Sequence, residues 1–293
     1  MPSTSPKRPV LRNRVVLIAG PTASGKSALA LEMAKAENGV IINADSMQVY
    51  RELRVLTARP SFEDEAKARH RLYGYASARD PYSVARWQQD AVAEIHMGHA
   101  AGKTPILCGG TGLYFMSLLK GLADVPEPTP EVRAYWRAYG GNLHAELAER
   151  DPAAAAKLHP SDRQRLIRAL EVIECTGISL LEWQARAEAA APLQNFDVHK
   201  LFKTASRETL YQRANSRFDQ MLEQGALDEV RALPPLEAAA PLMKAIGVPE
   251  LLAHLKGEIT LDEARRLAHI ATRQYIKRQL TWSRGQMSDW PQA

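Results

Sequence analysis

The sequence predicts an α/β protein: a parallel sheet flanked by helices, with a helical insertion domain in its middle. Three observations carry this. Apolar strand-like runs alternate with helical patterns over about the first 120 residues, the signature of crossover units in a parallel sheet. One such run leads directly into Gly20-Pro21-Thr22-Ala23-Ser24-Gly25-Lys26-Ser27 and an Ala/Leu-rich helix. Pro126, Pro128 and Pro130 then mark a change of character, after which no strand-like run occurs until about Val198.

In chain order, residues 1–13 hold Ser, Pro, Lys and Arg without an apolar core and read as a disordered tail, not a signal peptide. Residues 15–19 form a buried strand, and 26–37 a helix stopped near Asn38-Gly39. A second strand covers 40–43, a helix 84–100 and a third strand 105–108, followed by Gly109-Gly110-Thr111-Gly112 and a helix from Leu113. Thr129-Pro130-Glu131 is a helix start with Pro just inside. Ser161-Asp162-Arg163-Gln164 is a capping-box pattern opening a helix that ends at Thr176-Gly177. Residues 122–191 thus make the insertion, and 14–121 with 192–293 the core. Lys200 to Thr204 is expected to rejoin the sheet; the remainder is helical, broken at Leu233-Pro234-Pro235 and closing with a long helix from Leu261 to about Arg284.

The 293 residues are 45% hydrophobic and 24% charged, a globular composition able to bury a sizeable core. No apolar run of about 18 residues exists, so no membrane partner is expected. The two cysteines, Cys108 and Cys175, form no metal-binding pattern and suit a reducing, cytoplasmic setting. A net charge of +5 is a mild pointer to polyanions.

The stretch from Gly20 to Ser27 matches G-x-x-x-x-G-K-S, the phosphate-cradling loop, and implies a P-loop NTPase-like core. Its backbone N–H groups form an anion nest, the helix dipole adds about half a positive charge, and Lys26 adds a full one. Ser27 offers a hydroxyl to a magnesium ion. Ligands of such sheets sit beyond the carboxyl ends of the strands. The second strand there runs into Asp45-Ser46-Met47-Gln48, the third into Gly109 to Gly112. Asp45 can ligate magnesium or accept a proton, or cap a helix. The third strand ends in Cys108-Gly109 where a nucleotide hydrolase places a magnesium-holding Asp, and no nearby Gln or arginine-finger pair is expected to orient a water. The loop therefore suits a leaving group better than a nucleotide being hydrolysed.

Two helices carry basic stripes. Arg165 and Arg168 flank an apolar row of Leu166, Leu170 and Ile173. His269, Arg273, Lys277 and Arg284 share a stripe on the last helix, where residues 261–293 hold six Arg/Lys against three carboxylates. Such stripes are either solvated faces or contacts to a nucleic-acid backbone. Tyr135, Trp136 and Tyr139 either pack an amphipathic face or stack on bases. Arg213 and Arg217, one turn apart, could reach the phosphates.

The ordered set GPTASGKS, INADSMQVYR, GGTGLY, DRQRLIRALEV, LYQRANSRFDQML and TRQYIKRQLTWSR resembles the tRNA dimethylallyltransferase family over residues 15–290. The resemblance implies transfer of a dimethylallyl group from dimethylallyl diphosphate to N6 of the adenosine 3′ of the anticodon, in tRNAs reading codons that begin with U. Diphosphate is released. It implies that the loop, Gly20 to Ser27, binds the diphosphate, with Mg2+ held through Ser27 and Arg217 on the same phosphates. It makes Asp45 the general base and places Thr111 at the reacting groups. It implies tRNA anticodon stem-loop contacts at Asp45, Ser46, Met47, Gln48, Thr111, Arg133, Gln164, Arg165, Leu166, Ile167, Arg168, Met243, Lys244, Gly247, Arg273, Lys277, Arg278, Trp282 and Arg284. A monomer is expected. The chain departs from the family pattern at Arg59, at Val248-Pro249 and at Ser283. An isopentenyltransferase acting on free adenine nucleotides, or a P-loop small-molecule kinase, are the alternatives. The insertion and the basic terminal helix argue against the first; the second predicts ATP turnover and an Arg-rich lid.

Overall fold

The computed structural model describes residues 13–80, 82–237 and 240–293. The tail expected over residues 1–13 therefore lies outside them except for Asn13. Five parallel strands, β1 (Arg14–Ala19), β2 (Gly39–Asn43), β3 (Arg69–Arg71), β4 (Thr104–Gly109) and β5 (Asp197–Phe202), form one sheet in the order β3-β2-β4-β1-β5. β1 and β2 are buried almost throughout and read Val-Val-Leu-Ile-Ala and Gly-Val-Ile-Ile-Asn. Continuous apolar runs of this kind are what a sheet covered on both faces requires. Register sets the strand ends level, with Ala19 beside Gly109 and Phe202, and Asn43 beside Cys108.

The helices are α1 (Lys26–Ala36), α2 (Phe62–Lys67), α3 (Val84–Ala100), α4 (Gly112–Lys120), α5 (Pro130–Ala138), α6 (Leu143–Arg150), α7 (Pro152–Lys157), α8 (Arg163–Thr176), α9 (Leu180–Glu188), α10 (Arg207–Glu223), α11 (Ala226–Arg231), α12 (Val248–Leu255) and α13 (Leu261–Gln286). The chain divides into two compact units, one running to Phe115 and resuming at Asn195, the other Met116–Gln194. Among the described residues no helix is long and apolar enough to cross a membrane.

Local signals explain most boundaries. Ser83 caps α3 by accepting from the Arg86 N–H, and Thr129 caps α5 by accepting from Val132, with Pro130 at the first helical position. α8 ends at Gly177 in the left-handed conformation, φ +67°. Three expectations need correction. The cap of α8 is Asp162, whose carboxylate accepts from the Arg165 N–H, while Ser161 turns its hydroxyl to His159. Both residue types suit a cap, and Asp adds negative charge at the positive end of the helix. The last strand covers 197–202 instead of 200–204, because β1 supplies partners from Arg14 onward. Finally, α2 and β3 stand where the sequence pattern carries no element: each is short, and β3 reads Arg-His-Arg, a polar edge strand without apolar alternation.

In the unit Met116–Gln194, Trp136, Leu143, Leu147, Leu166, Ala169 and Leu170 form one core. Trp136 is fully buried, and its indole N–H donates to Glu174 at 2.8 Å. Trp136 therefore packs, and of Tyr135, Trp136 and Tyr139 only Tyr135 is exposed. Trp136→Ala should cost about 3–5 kcal/mol through the cavity it leaves. This is read as a lower urea midpoint; a loss under about 1 kcal/mol would mean the cluster does not hold this unit together.

Candidate active site at the strand ends

β1 ends one residue before the loop, and within it Ala23 and Gly25 take φ +63° and +87°. These left-handed positions turn successive N–H groups to one side, the geometry of an anion nest. Lys26 folds back so that Nζ donates to the Pro21 carbonyl at 3.2 Å. Burial pulls its ammonium below the ordinary lysine range, Arg217 adds to that, and Asp45 opposes it. α10 delivers Arg217, whose guanidinium donates to the Thr22 hydroxyl; burial lowers its pKa and Asp45 opposes the shift. Arg213, one turn earlier, is exposed.

Asp45 is fixed from behind. Buried Asn43 accepts from the Asp45 N–H at 2.8 Å and donates to the Asp45 and Leu72 carbonyls at 2.9 and 3.1 Å. Asp45 Oδ1 then accepts from the Met47 N–H at 3.0 Å, a local turn. Thr111 locks the end of β4 to the end of β2: its N–H donates to Ala44 O at 3.2 Å and its hydroxyl accepts from the Ser46 N–H at 2.9 Å. Two glycines permit this crowding. A Cβ on Gly109 would lie 2.0 Å from the Ala44 carbonyl oxygen, and one on Gly112 2.0 Å from the Trp282 ring.

A glutamine does reach the loop, from α13. Gln279 accepts from the Thr22 N–H at 2.9 Å and donates to Gly110 O at 3.0 Å. It is spent between two backbone groups and is not aimed as a water-orienting base. Tyr275, one turn earlier, hydrogen-bonds Gln279, and burial raises its phenol pKa. Sequence reasoning missed Gln279, Tyr275 and Asn43. The first two share a helix face with Trp282 at i, i+4, i+7, a signal overlooked beside the basic stripe.

Two cavities flank this bridge. One of about 240 Å³ is lined by Gly20, Gly110, Thr111, Leu113, Gln279 and Trp282 among others. The second, of about 270 Å³, is lined by Thr22, Asp45, Met47, Leu56, Arg217 and Lys244 among others. Tyr275 and Arg278 border both. The second is half polar and carries the opposed charges; the first is mainly apolar.

Gln48 spends its amide on the Thr57 and Ala58 carbonyls, at 2.8 and 3.1 Å. Gly247 is buried beneath the Leu56 side chain, so it is no surface contact. Leu166 is 1% exposed, turned inward by the apolar spacing of α8, so its side chain faces no partner; Ile167 packs against the same core and is half-buried. Gln164 and Arg165 are exposed, Arg168 lies 3.9 Å from Glu171, and Arg133 lies 3.7 Å from Glu127. On α13, Arg273, Lys277, Arg278 and Arg284 are exposed, whereas His269 bonds Asp219 at 3.1 Å and leaves the stripe. Met243 is half-buried in the turn before α12.

Among the described residues, no three His, Cys, Asp or Glu side chains cluster as metal ligands. Of the loop hydroxyls Thr22, Ser24 and Ser27, that of Thr22 accepts from Arg217 and that of Ser27 contacts the Cys108 thiol, itself pushed up to about 11 by burial. One hydroxyl beside a phosphate cradle fits magnesium held chiefly by phosphate oxygens and water, and does not fit an all-protein cage.

Residues 48–286 match the family model described as IPP transferase. The chain is 52% identical to a tRNA dimethylallyltransferase of Rhodopseudomonas palustris (strain BisB18), covering 95% of this chain and 90% of that one. It is 50% identical to one of Azorhizobium caulinodans, covering 96% and 92%. Among solved structures it resembles a full-length tRNA isopentenylpyrophosphate transferase of Bacillus halodurans at 34% identity and TM-score 0.68, covering 96% of this chain and 89% of that one. It also resembles a eukaryotic dimethylallyltransferase acting on tRNA at 28% identity and TM-score 0.78, covering 92% and 70%. On sequence and fold together, the chain belongs to the IPP transferase family.

Proposed function

We propose that this chain transfers the dimethylallyl group of dimethylallyl diphosphate to N6 of the adenosine 3′ of the tRNA anticodon, in tRNAs reading codons that begin with U. The observation that supports this best is the convergence of two half-buried cations, Lys26 and Arg217, on a phosphate loop that faces one carboxylate, Asp45. Adenine N6 is a feeble nucleophile because its lone pair is delocalised into the ring. The reaction therefore depends on the departing diphosphate. As the allylic C–O bond breaks, its electron pair leaves with the bridging oxygen, where Lys26, Arg217 and the loop N–H groups are already oriented toward negative charge. The new bond joins N6 to the allylic carbon, and Asp45 takes the proton that becomes acidic as N6 alkylates. Thr111 holds the turn that carries Asp45 and Ser46. When bound, magnesium would supply further positive charge to the leaving oxygens, with Ser27 as its protein ligand.

An adenosine enters such a pocket only out of its stack, at a cost of a few kcal/mol. Backbone contacts offset that cost, and the exposed residues of α13 together with Gln164, Arg165, Arg168 and Arg133 are proposed to supply them. Ser46, Met47, Lys244 and Trp282 line the cavities and are proposed to meet the RNA at the reacting base. The protein would act in the cytoplasm as a monomer.

The deciding experiment supplies radiolabelled dimethylallyl diphosphate with either tRNA or AMP. Label should enter tRNA alone, with no ATP consumed; label in AMP favours the free-nucleotide alternative. Lys26→Ala and Asp45→Ala should each lower transfer by about 10²–10⁴-fold, and Asp45→Ala should still bind tRNA. Robust transfer by Asp45→Ala would remove that residue as base. Because burial lowers the Lys26 pKa, its charge is lost on raising pH earlier than that of a free lysine. Affinity for dimethylallyl diphosphate should thus decline on the alkaline side before the ordinary lysine range, and Lys26→Arg should abolish this decline. Arg273→Glu with Lys277→Glu should weaken tRNA binding and lessen its salt slope by about 1–2. Unchanged affinity at low salt would dismiss the stripe.

A further inference from the structure

α11 offers no side chain to either cavity, yet Glu229 upon it makes an unusual set of bonds. Its Oε1 accepts from the backbone N–H groups of Arg54 and Val55 at 2.5 and 2.9 Å, and its Oε2 from that of Leu56 at 2.9 Å. Three consecutive N–H groups converging on one carboxylate form an anion nest filled from within the chain. Bonds to an ionised acceptor are roughly twice as strong as neutral ones.

The turn held this way is part of the site. Leu56 and Thr57 line the cavity that contains Asp45 and Arg217. The Leu56 side chain lies against Gly247, where an added Cβ would sit 2.7 Å from a Leu56 methyl. The far end of the turn is tied by Gln48, through the Thr57 and Ala58 carbonyls, to the segment that starts at Asp45. Thr57 closes the turn on itself by donating to Leu53 O at 2.7 Å. Hydrogen bonds therefore run from α11 through residues 54–58 to Gln48, three residues along the chain from Asp45.

We propose that Glu229 is a positioning residue for the transfer reaction, its carboxylate setting the 54–57 turn and, through Gln48, the placement of Asp45 against the reacting amine. The inference rests on the prenyl-transfer reading. Glu229 touches neither the phosphate loop nor the basic face of α13, so its effect falls on the chemical step and not on either substrate's grip.

Glu229→Gln tests this at constant volume. An amide keeps one acceptor and turns an NH2 group toward an N–H donor, so at least one of the three bonds is lost. In transfer assays with dimethylallyl diphosphate and tRNA, Glu229→Gln should lower kcat about tenfold while both KM values stay within about twofold. Its melting temperature should remain within a few degrees of the wild type. Asp228→Asn, on the same helix and exposed beside Arg231, should change none of these. Glu229→Ala should lower kcat further. An unchanged kcat in Glu229→Gln, beside an active wild type, overturns the inference alone. So does a fall in kcat matched by a rise in both KM values and a lower melting temperature, the mark of general loosening. A wild type that transfers no label overturns the prenyl-transfer reading and this inference with it.

Discussion

Burying the ammonium of Lys26 and the guanidinium of Arg217 within reach of one carboxylate is unfavourable for each cation taken singly, and burial lowers both pKa values accordingly. Asp45 offsets part of this for each of them. The local balance is one of excess positive charge inside a backbone nest, a chemistry suited to a multiply charged anion and poorly suited to a neutral ligand. Nearly every other feature of the site serves to keep those three groups in register: Asn43 behind Asp45, Thr111 between the ends of β2 and β4, and the Thr22 hydroxyl under Arg217. Parallel strand topology makes this possible, since only in such a sheet do the carboxyl ends of neighbouring strands emerge on one side.

α13 has two faces of different character. Its outward side carries Arg273, Lys277 and Arg284, all exposed. Its inward side places Tyr275, Gln279 and Trp282 over the loop and the Gly110 turn. Gln279 satisfies a loop N–H and a strand-end carbonyl at once, so the cradle is joined to the helix by polar bonds as well as by packing. A diphosphate oxygen is a stronger acceptor for the Thr22 N–H than an amide oxygen is.

The sheet was legible because a parallel strand covered on both faces is a plain apolar run, as in residues 15–19 and 105–108. The loop was legible because its geometry demands particular residues at fixed intervals. β3 and α2 were not, being short and polar, held by neighbours and not by their own pattern. Gln279 and Glu229 were hidden for a different reason: their partners lie 257 and 173–175 residues away, beyond anything local spacing can report. Leu166 shows the opposite case. Its position in the apolar row of α8 already turned it inward, and five successive residues of a helix with 3.6 residues per turn cannot all face one partner.

Gly109 and Gly112 give the site a fragility that no inventory of functional groups would register. Each stands where another backbone or an indole ring occupies the space of a methyl group. A saturation survey of this gene would accordingly score alanine, the mildest of replacements elsewhere, among the damaging changes at both codons, although neither residue contributes a single reactive atom.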